Sequence, residues 1–447
     1  MLETGFRILE DWAWGITLDS LEIEKERGVV IEEWRLGQGA ASRLQNRQFP
    51  VLTRNSRYAQ RLPIGTYESL RTFRHSALRR FYRDWYRPDL MAVVAVGDFD
   101  GERVEALIRE HFGRIPAPRR ARARREYRVP EHRETLVSVA TDPEAPGATV
   151  SLYLKKAPIS WETVEVYRSW LVESLASSML INRLSEVMQR PDSPLLDVSS
   201  FHGRFIRPLS ALVLTGRVHE DRMEAGLDAI LTEVERAARH GFTETEMQRE
   251  KLELLRMMEQ RYAEREKTSS GSYAADYISH FLYGGTVLDV ADEYSLHARL
   301  LPGIGLREVN ERVRTWQQER NRVVLARAPA RPGLDVPGER RLRQVIDAVG
   351  RRSLEAYDDL VSAAPLVRDP PAPGAVVSER DLPGVDVTEW VLSNGARVLL
   401  KRTDFREDEI LMVARSPGGS SLLPDEDHVA ALTAPPSGSR PRGSRYA

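Results

Sequence analysis

Apolar residues recur along this chain in two rhythms: the three-to-four-residue beat of helices, and short dense runs of strand size. Phe6, Ile8, Leu9, Trp12 and Trp14 mark a short amphipathic helix. A second helix starts at Asp19 or Ser20, where Asp19 and Glu22 stand at capping-box spacing. Its helix-forming run reaches about Leu44, with Ile23, Val30, Ile31 and Trp34 as buried positions. A further helical stretch ends in Phe81–Trp85 and is stopped by Pro88; Leu90–Val96 then reads as a buried strand and Gly101–Phe112 as a helix. The same grammar restarts with strands at Thr135–Ala140 and Ala148–Leu154, a helix over Thr163–Met188, a strand at Ala211–Val218 and a helix over Asp221–His240. Gly241 suits the C′ position of that helix, and Thr243 with Glu246 opens the next, Glu244 to about Lys267. Asn321–Ala326 closes the unit as a strand. Helices interleaved with strands in this way indicate an α/β or α+β chain.

These rhythms divide the sequence into residues 1–130, a second unit over 131–330, a linker over 331–384, the opening of a third unit over 385–432 and a tail over 433–447. The linker is rich in proline, glycine and charge and carries one helix at Glu339–Val349. The third unit opens with Thr388–Lys401, a hairpin signature with Asn394-Gly395 at the turn, followed by a strand at Glu409–Ala414. The tail has no apolar periodicity and is expected to be disordered.

Composition narrows the function classes. Lysine and arginine total 65 against 66 aspartates and glutamates, a net charge of −1 in 447 residues. That balance argues against a dedicated binder of nucleic acid or anionic membrane. The run Arg119–Arg125 is accordingly read as a solvated inter-domain crossing rather than a nucleic-acid patch. No apolar run has the length of a membrane span, and Met1–Arg7 lacks the charged start and apolar core of a signal peptide. With no cysteine, thiol catalysis and cysteine-ligated zinc are excluded. There is no Gly-x-Ser-x-Gly elbow and no phosphate loop, and Gly37-Gln-Gly39 reads as a helix end or loop, not a dinucleotide fingerprint.

Glu26 and Glu33 are seven residues apart on the second helix, so both carboxylates project from nearly one face, with Glu22 a turn earlier. Such a face can ligate a metal or support a histidine ligand from behind; equally, Lys25, Arg27 and Arg35 could pair with it as a solvated face. Asp142-Pro-Glu144 is read as a solvated turn and His219-Glu-Asp221 as a helix start.

The string Glu24-Lys-Glu-Arg-Gly-Val-Val-Ile-Glu-Glu-Trp-Arg35 resembles the segment of insulinase/pitrilysin-type zinc peptidases that carries their distal zinc ligand. The resemblance continues through Arg57–Thr66, Phe81–Pro88, Val94–Asp98, Gly241–Glu246, Leu392–Gly395 and Gly418–Ser420. It implies an α+β fold of tandem insulinase-like domains, each a mixed or antiparallel sheet packed with long helices. Residues 1–130 would be the remainder of a first, catalytic-type domain, 131–330 a second, inactive one, and 385–432 the start of a third. It further implies a zinc cofactor, Glu33 as the metal ligand and Glu26 as the supporting carboxylate, in an enzyme that hydrolyses peptides or small unfolded proteins.

In that family an inverted H-x-x-E-H motif supplies two histidine ligands and the general base. None of the nine histidines here belongs to one, and the 32 residues before Glu33 contain none at all. The motif would lie ahead of Met1, together with any export signal, which favours a periplasmic or secreted setting. Near the far end, His428 is followed by Ala431 and Leu432 where the base and second ligand would stand, the pattern of an inactive half. The chain is thus expected to be inactive alone, with no catalytic residue of its own, and to need a complementary peptidase half or a second copy. The uncovered apolar faces of a shortened first domain would favour association. The competing expectation is a non-catalytic scaffold or partner subunit of a two-component peptidase.

Overall fold

In a computed structural model the chain is described over residues 2–359, 369–370, 372–406, 409–415, 422, 424–427 and 429. It falls into two units, Met1–Glu259 with Lys267–Asp358, and Gln260–Glu266 with Asp359–Ala447. The first unit opens with seven helices: α1 Leu2–Glu10, α2 Ser20–Leu36, α3 Ala40–Leu52, α4 Arg57–Gln60, α5 Tyr67–Thr72, α6 His75–Trp85 and α7 Gly101–Phe112. The single long helix expected from Leu21 to Leu44 is two, because the Gly37 and Gly39 ends intervene: the Gly37 N–H closes α2 on the Glu33 carbonyl at 2.9 Å, and Gly39 caps α3. The expected strand at Leu90–Val96 does not form. A strand exists only with a ladder partner, and no strand precedes this run among the described residues.

The centre of this unit is a five-stranded sheet of β1 Leu136–Asp142, β2 Ala148–Lys156, β3 Leu195–Ile206, β4 Leu209–Val218 and β5 Arg322–Pro329. The strand order is β1-β5-β2-β4-β3, with β1 and β5 parallel and the other pairs antiparallel. The mixed sheet packed with long helices is the α+β architecture expected. The edge strand β3 escaped the sequence reading because its face is mostly polar or exposed and shows no alternation. Helices α8 Val164–Met188, α9 Met223–His240, α10 Glu244–Ala263, α11 Ser270–Tyr283, α12 Val290–Leu300, α13 Leu306–Arg314 and α14 Glu339–Arg351 complete the unit, apart from the last residues of α10. Leu171, Leu175, Leu227 and Ile230 bring α8 and α9 onto one face of the sheet. The helix expected in the linker is part of this core, since α14 packs on α9 and fully buries Leu342 and Val349.

The opposite face is covered by α3, so β5 is buried on both sides: Val324 and Ala326 face α8 and α9, while Val323 and Leu325 face Phe49 and Leu52. Such two-sided burial explains its near-continuous apolar sequence. Polar contacts fix α3 in place. The buried Gln48 amide donates to the Ser138 and Ala326 carbonyls at 3.2 and 2.8 Å and accepts from Arg327 at 2.7 Å. Arg43 donates to both Asp142 oxygens at 2.7 and 2.6 Å and to Glu144 at 2.6 Å. The Asp142-Pro-Glu144 turn is therefore an ion-pair clamp, not a solvated turn. Arg43 holds the Asp142 carboxyl down to about 2, from an ordinary value of 3.8. A lowered folded-state pKa contributes stability that is complete above about pH 4 and lost as pH falls toward 2. Urea titrations should show the gap between wild type and Arg43→Ala closing over that window; a gap independent of pH would contradict it.

At the α9–α10 corner, Gly241 adopts φ +80° and ψ −172°, a region open essentially to glycine alone. The expected capping box forms: Glu246 Oε2 accepts from the Thr243 N–H at 2.8 Å, and Thr243 Oγ1 from the Glu246 N–H at 3.3 Å. Arg183 of α8, 1% exposed, clamps Glu246 through two hydrogen bonds of 2.7 and 2.8 Å and also reaches the Gly241 carbonyl.

The second unit contains a three-stranded antiparallel sheet of β6 Val376–Leu382, β7 Val387–Leu392 and β8 Arg397–Leu400. The Asn394-Gly395 turn joins β7 to β8, with Gly395 at φ +82°. The strand expected at Glu409–Ala414 is not formed; Ile410–Val413 lie exposed with no ladder partner among the described residues. Gly418–Ser420, His428, Ala431, Leu432 and the tail from 433 lie outside the described residues.

Candidate metal centre on the second helix

Helix α2 begins where Asp19 accepts from the Leu21 and Glu22 amides at 2.8 and 3.4 Å. The reciprocal bond of a capping box is replaced by a Glu22–Lys25 pair. The helix is thinly buried: Ile23 is in the core, while Val30, Ile31 and Trp34, expected to be buried, are only half so. Basic side chains do much of the anchoring. Arg27 donates to the Leu70 and Phe73 carbonyls and lies 4.0 Å from the Phe73 ring centre, and Arg79 reaches the Leu18 carbonyl and Ser20.

Five glutamates project from α2, and the structure sorts them. Glu22 pairs with Lys25 at 2.6 Å, Glu24 with Arg27 at 2.9 Å and Glu32 with Arg35 at 3.1 Å. Glu24 also meets His75, and the Arg27 guanidinium, then His75, hold its carboxyl down to about 2. Glu26 and Glu33 are exposed, and neither side-chain carboxylate has a hydrogen bond or ion pair among the described residues. The three basic neighbours that could have neutralised Glu26 and Glu33 are thus all taken by other carboxylates.

Two carboxylates one face apart do not make a zinc site. Catalytic zinc takes three protein ligands and a water, and the described residues contain no group of three histidines, aspartates or glutamates that could hold a metal. The other sequence candidates are occupied structurally. Asp142 and Glu144 bind Arg43, Glu220 pairs with Arg331 at 3.0 Å, and α9 starts at Met223 rather than Asp221. No helix among the described residues is long and apolar enough to cross a membrane.

Residues 72–254 match the family model described as the Peptidase M16 inactive domain. The zinc protease PQQL-like of Arabidopsis thaliana is 30% identical over 432 residues, 96% of this chain and 42% of that protein. The probable zinc protease PqqL of Escherichia coli is 24% identical over 95% of this chain and 45% of its own length. The crystal structure of the periplasmic protease PqqL from Escherichia coli superposes with a TM-score of 0.72 at 22% identity, over 90% of this chain and 44% of that one. The chain spans less than half the length of these curated relatives. Along almost its whole length the chain is thus similar to zinc proteases of the insulinase/pitrilysin (M16) type, and residues 72–254 match the inactive-domain model of that family.

Proposed function

We propose that this chain is the part of a zinc metalloendopeptidase that presents Glu33 as the distal metal ligand and Glu26 as the carboxylate behind a histidine ligand. The two histidines and the general base come from polypeptide outside these residues, and the assembled enzyme cleaves peptides or small unfolded proteins. One observation supports this above the others: of the five α2 glutamates, the two in register with the family's zinc ligand and its supporting carboxylate are the two left unpaired among the described residues. A surface helix under no demand but solubility gains from pairing any of them equally, so there is no structural need to leave these two free. The Escherichia coli relative is described as periplasmic, and we place this chain in the periplasm or outside the cell on that likeness.

The test is complementation. The chain alone, supplied with zinc, leaves a quenched fluorescent peptide uncut. The same chain extended at its N-terminus by a segment bearing H-x-x-E-H cuts it, and a chelator stops the reaction. A folded, extended protein that neither binds zinc nor cleaves would instead indicate the scaffold role.

A further inference from the structure

The arginine-rich segment that reads as a solvated crossing does more than connect. Residues 124–131 form one wall of a cavity of about 1030 Å³, floored by the end of β2 and the β3–β4 turn and closed by the end of α11. Seven arginines and lysines line it against two glutamates, in a chain of net charge −1. Both glutamates have cationic neighbours: Glu131 pairs with Arg320, and Glu126 lies 3.8 Å from Arg124.

The cations divide into held and free. Arg204 and Arg207 are set by carbonyl contacts and lie over the Tyr283 ring at 4.4 and 5.8 Å from its centre. Lys155 is buried, its ammonium donates to the Leu52 carbonyl at 2.9 Å, and burial and Arg54 push that ammonium down to about 8. Arg125 and Arg128 are exposed and have no partner among the described residues. The main chain of 124–131 is also unengaged by any hydrogen bond among those residues.

We propose that this cavity holds an acidic stretch of a peptide substrate, its carboxylates taken by Arg125, Arg128, Arg204 and Arg207 and its main chain running beside residues 124–131. Guanidinium forks suit carboxylates, and like charges gathered in a low-dielectric recess focus their field on an anion. A compact phosphate would use neither the spread of the cations nor the unpaired amides and carbonyls of the wall; an extended peptide uses both. The word substrate rests on the proposed peptidase role, but the binding requires neither zinc nor cleavage.

Fluorescence anisotropy with the whole chain and labelled hexaglutamate or hexaglutamine peptides tests it. Hexaglutamate should bind at least roughly tenfold more tightly, with the advantage shrinking at high salt. The exposed pair Arg125→Glu/Arg128→Glu should abolish that preference without moving the thermal melt, while Arg119→Glu/Arg120→Glu, outside the cavity lining, should leave it. Equal binding of the two peptides, no effect of the cavity pair, or an equal effect of the outside pair would overturn the assignment. So would inorganic triphosphate displacing hexaglutamate more effectively than unlabelled hexaglutamate does, which would mark a phosphate site. Because this readout is independent of metal, it stands or falls apart from the complementation result.

Discussion

In the N-terminally extended protein, Glu33→Ala should remove the proposed zinc-dependent peptide cleavage, and Glu26→Gln should lower kcat/KM by roughly 10- to 100-fold. The asymmetry follows from the two positions. A metal ligand cannot be replaced by a methyl group, whereas a carboxylate acting through another ligand only orients and polarises it. Glu26 and Glu33 lie about two helical turns apart on one face, and each is unpaired among the described residues, so neither substitution breaks an existing contact. Glu32→Gln is the matched control. It removes an exposed pair with Arg35, an interaction worth about 0–1 kcal/mol, and should leave cleavage unchanged. If Glu32→Gln were as damaging as Glu33→Ala, the register of α2 on the metal would be wrong.

The largest expected effect on stability is at Arg183. Its guanidinium is almost wholly buried between α8 and α10, stacks on Phe242 and Tyr357 at 4.6 and 4.1 Å, and binds a buried Glu246. Arg183→Met leaves that carboxylate buried without its counter-charge, a change that costs about 3–5 kcal/mol. Glu246 would keep its capping contacts to Thr243. The double variant Arg183→Met/Glu246→Met removes both charges, and apolar replacement of a whole buried pair is often neutral or better; it should recover much of the loss, less the missing cap. Urea unfolding of wild type, single and double variants measures this. A single variant within 1 kcal/mol of wild type, on the scale of an exposed pair, would show that the corner is not held electrostatically.

How much of this was legible depends on what each feature needs from elsewhere in the chain. Helix α7 and the capped start of α8 at Thr163 were readable to within a residue, because caps and apolar periodicity are local. The Gly241–Glu246 corner was readable for the same reason. Leu90–Val96 and Glu409–Ala414 misled, since an apolar run states that a segment suits a sheet but not that a partner strand is present. Edge strand β3 was missed for the converse reason: its partner β4 supplies the ladder that its own polar sequence does not advertise. At the site, seven-residue spacing put Glu26 and Glu33 on one face, but could not say which glutamates the basic neighbours would take. That choice depends on Arg27 being drawn to the Leu70 and Phe73 carbonyls, contacts 43 and 46 residues distant. The Arg43 clamp on Asp142, 99 residues away, was invisible for the same reason.

The most direct measurement is a calorimetric zinc titration of this chain as it stands, with Glu33→Ala alongside. No stoichiometric binding is expected of either protein, because the proposed site comprises one carboxylate ligand and one supporting carboxylate, and the described residues contain no group of three histidines, aspartates or glutamates that could hold a metal. Tight one-to-one binding by the chain alone, lost in Glu33→Ala, would contradict that expectation.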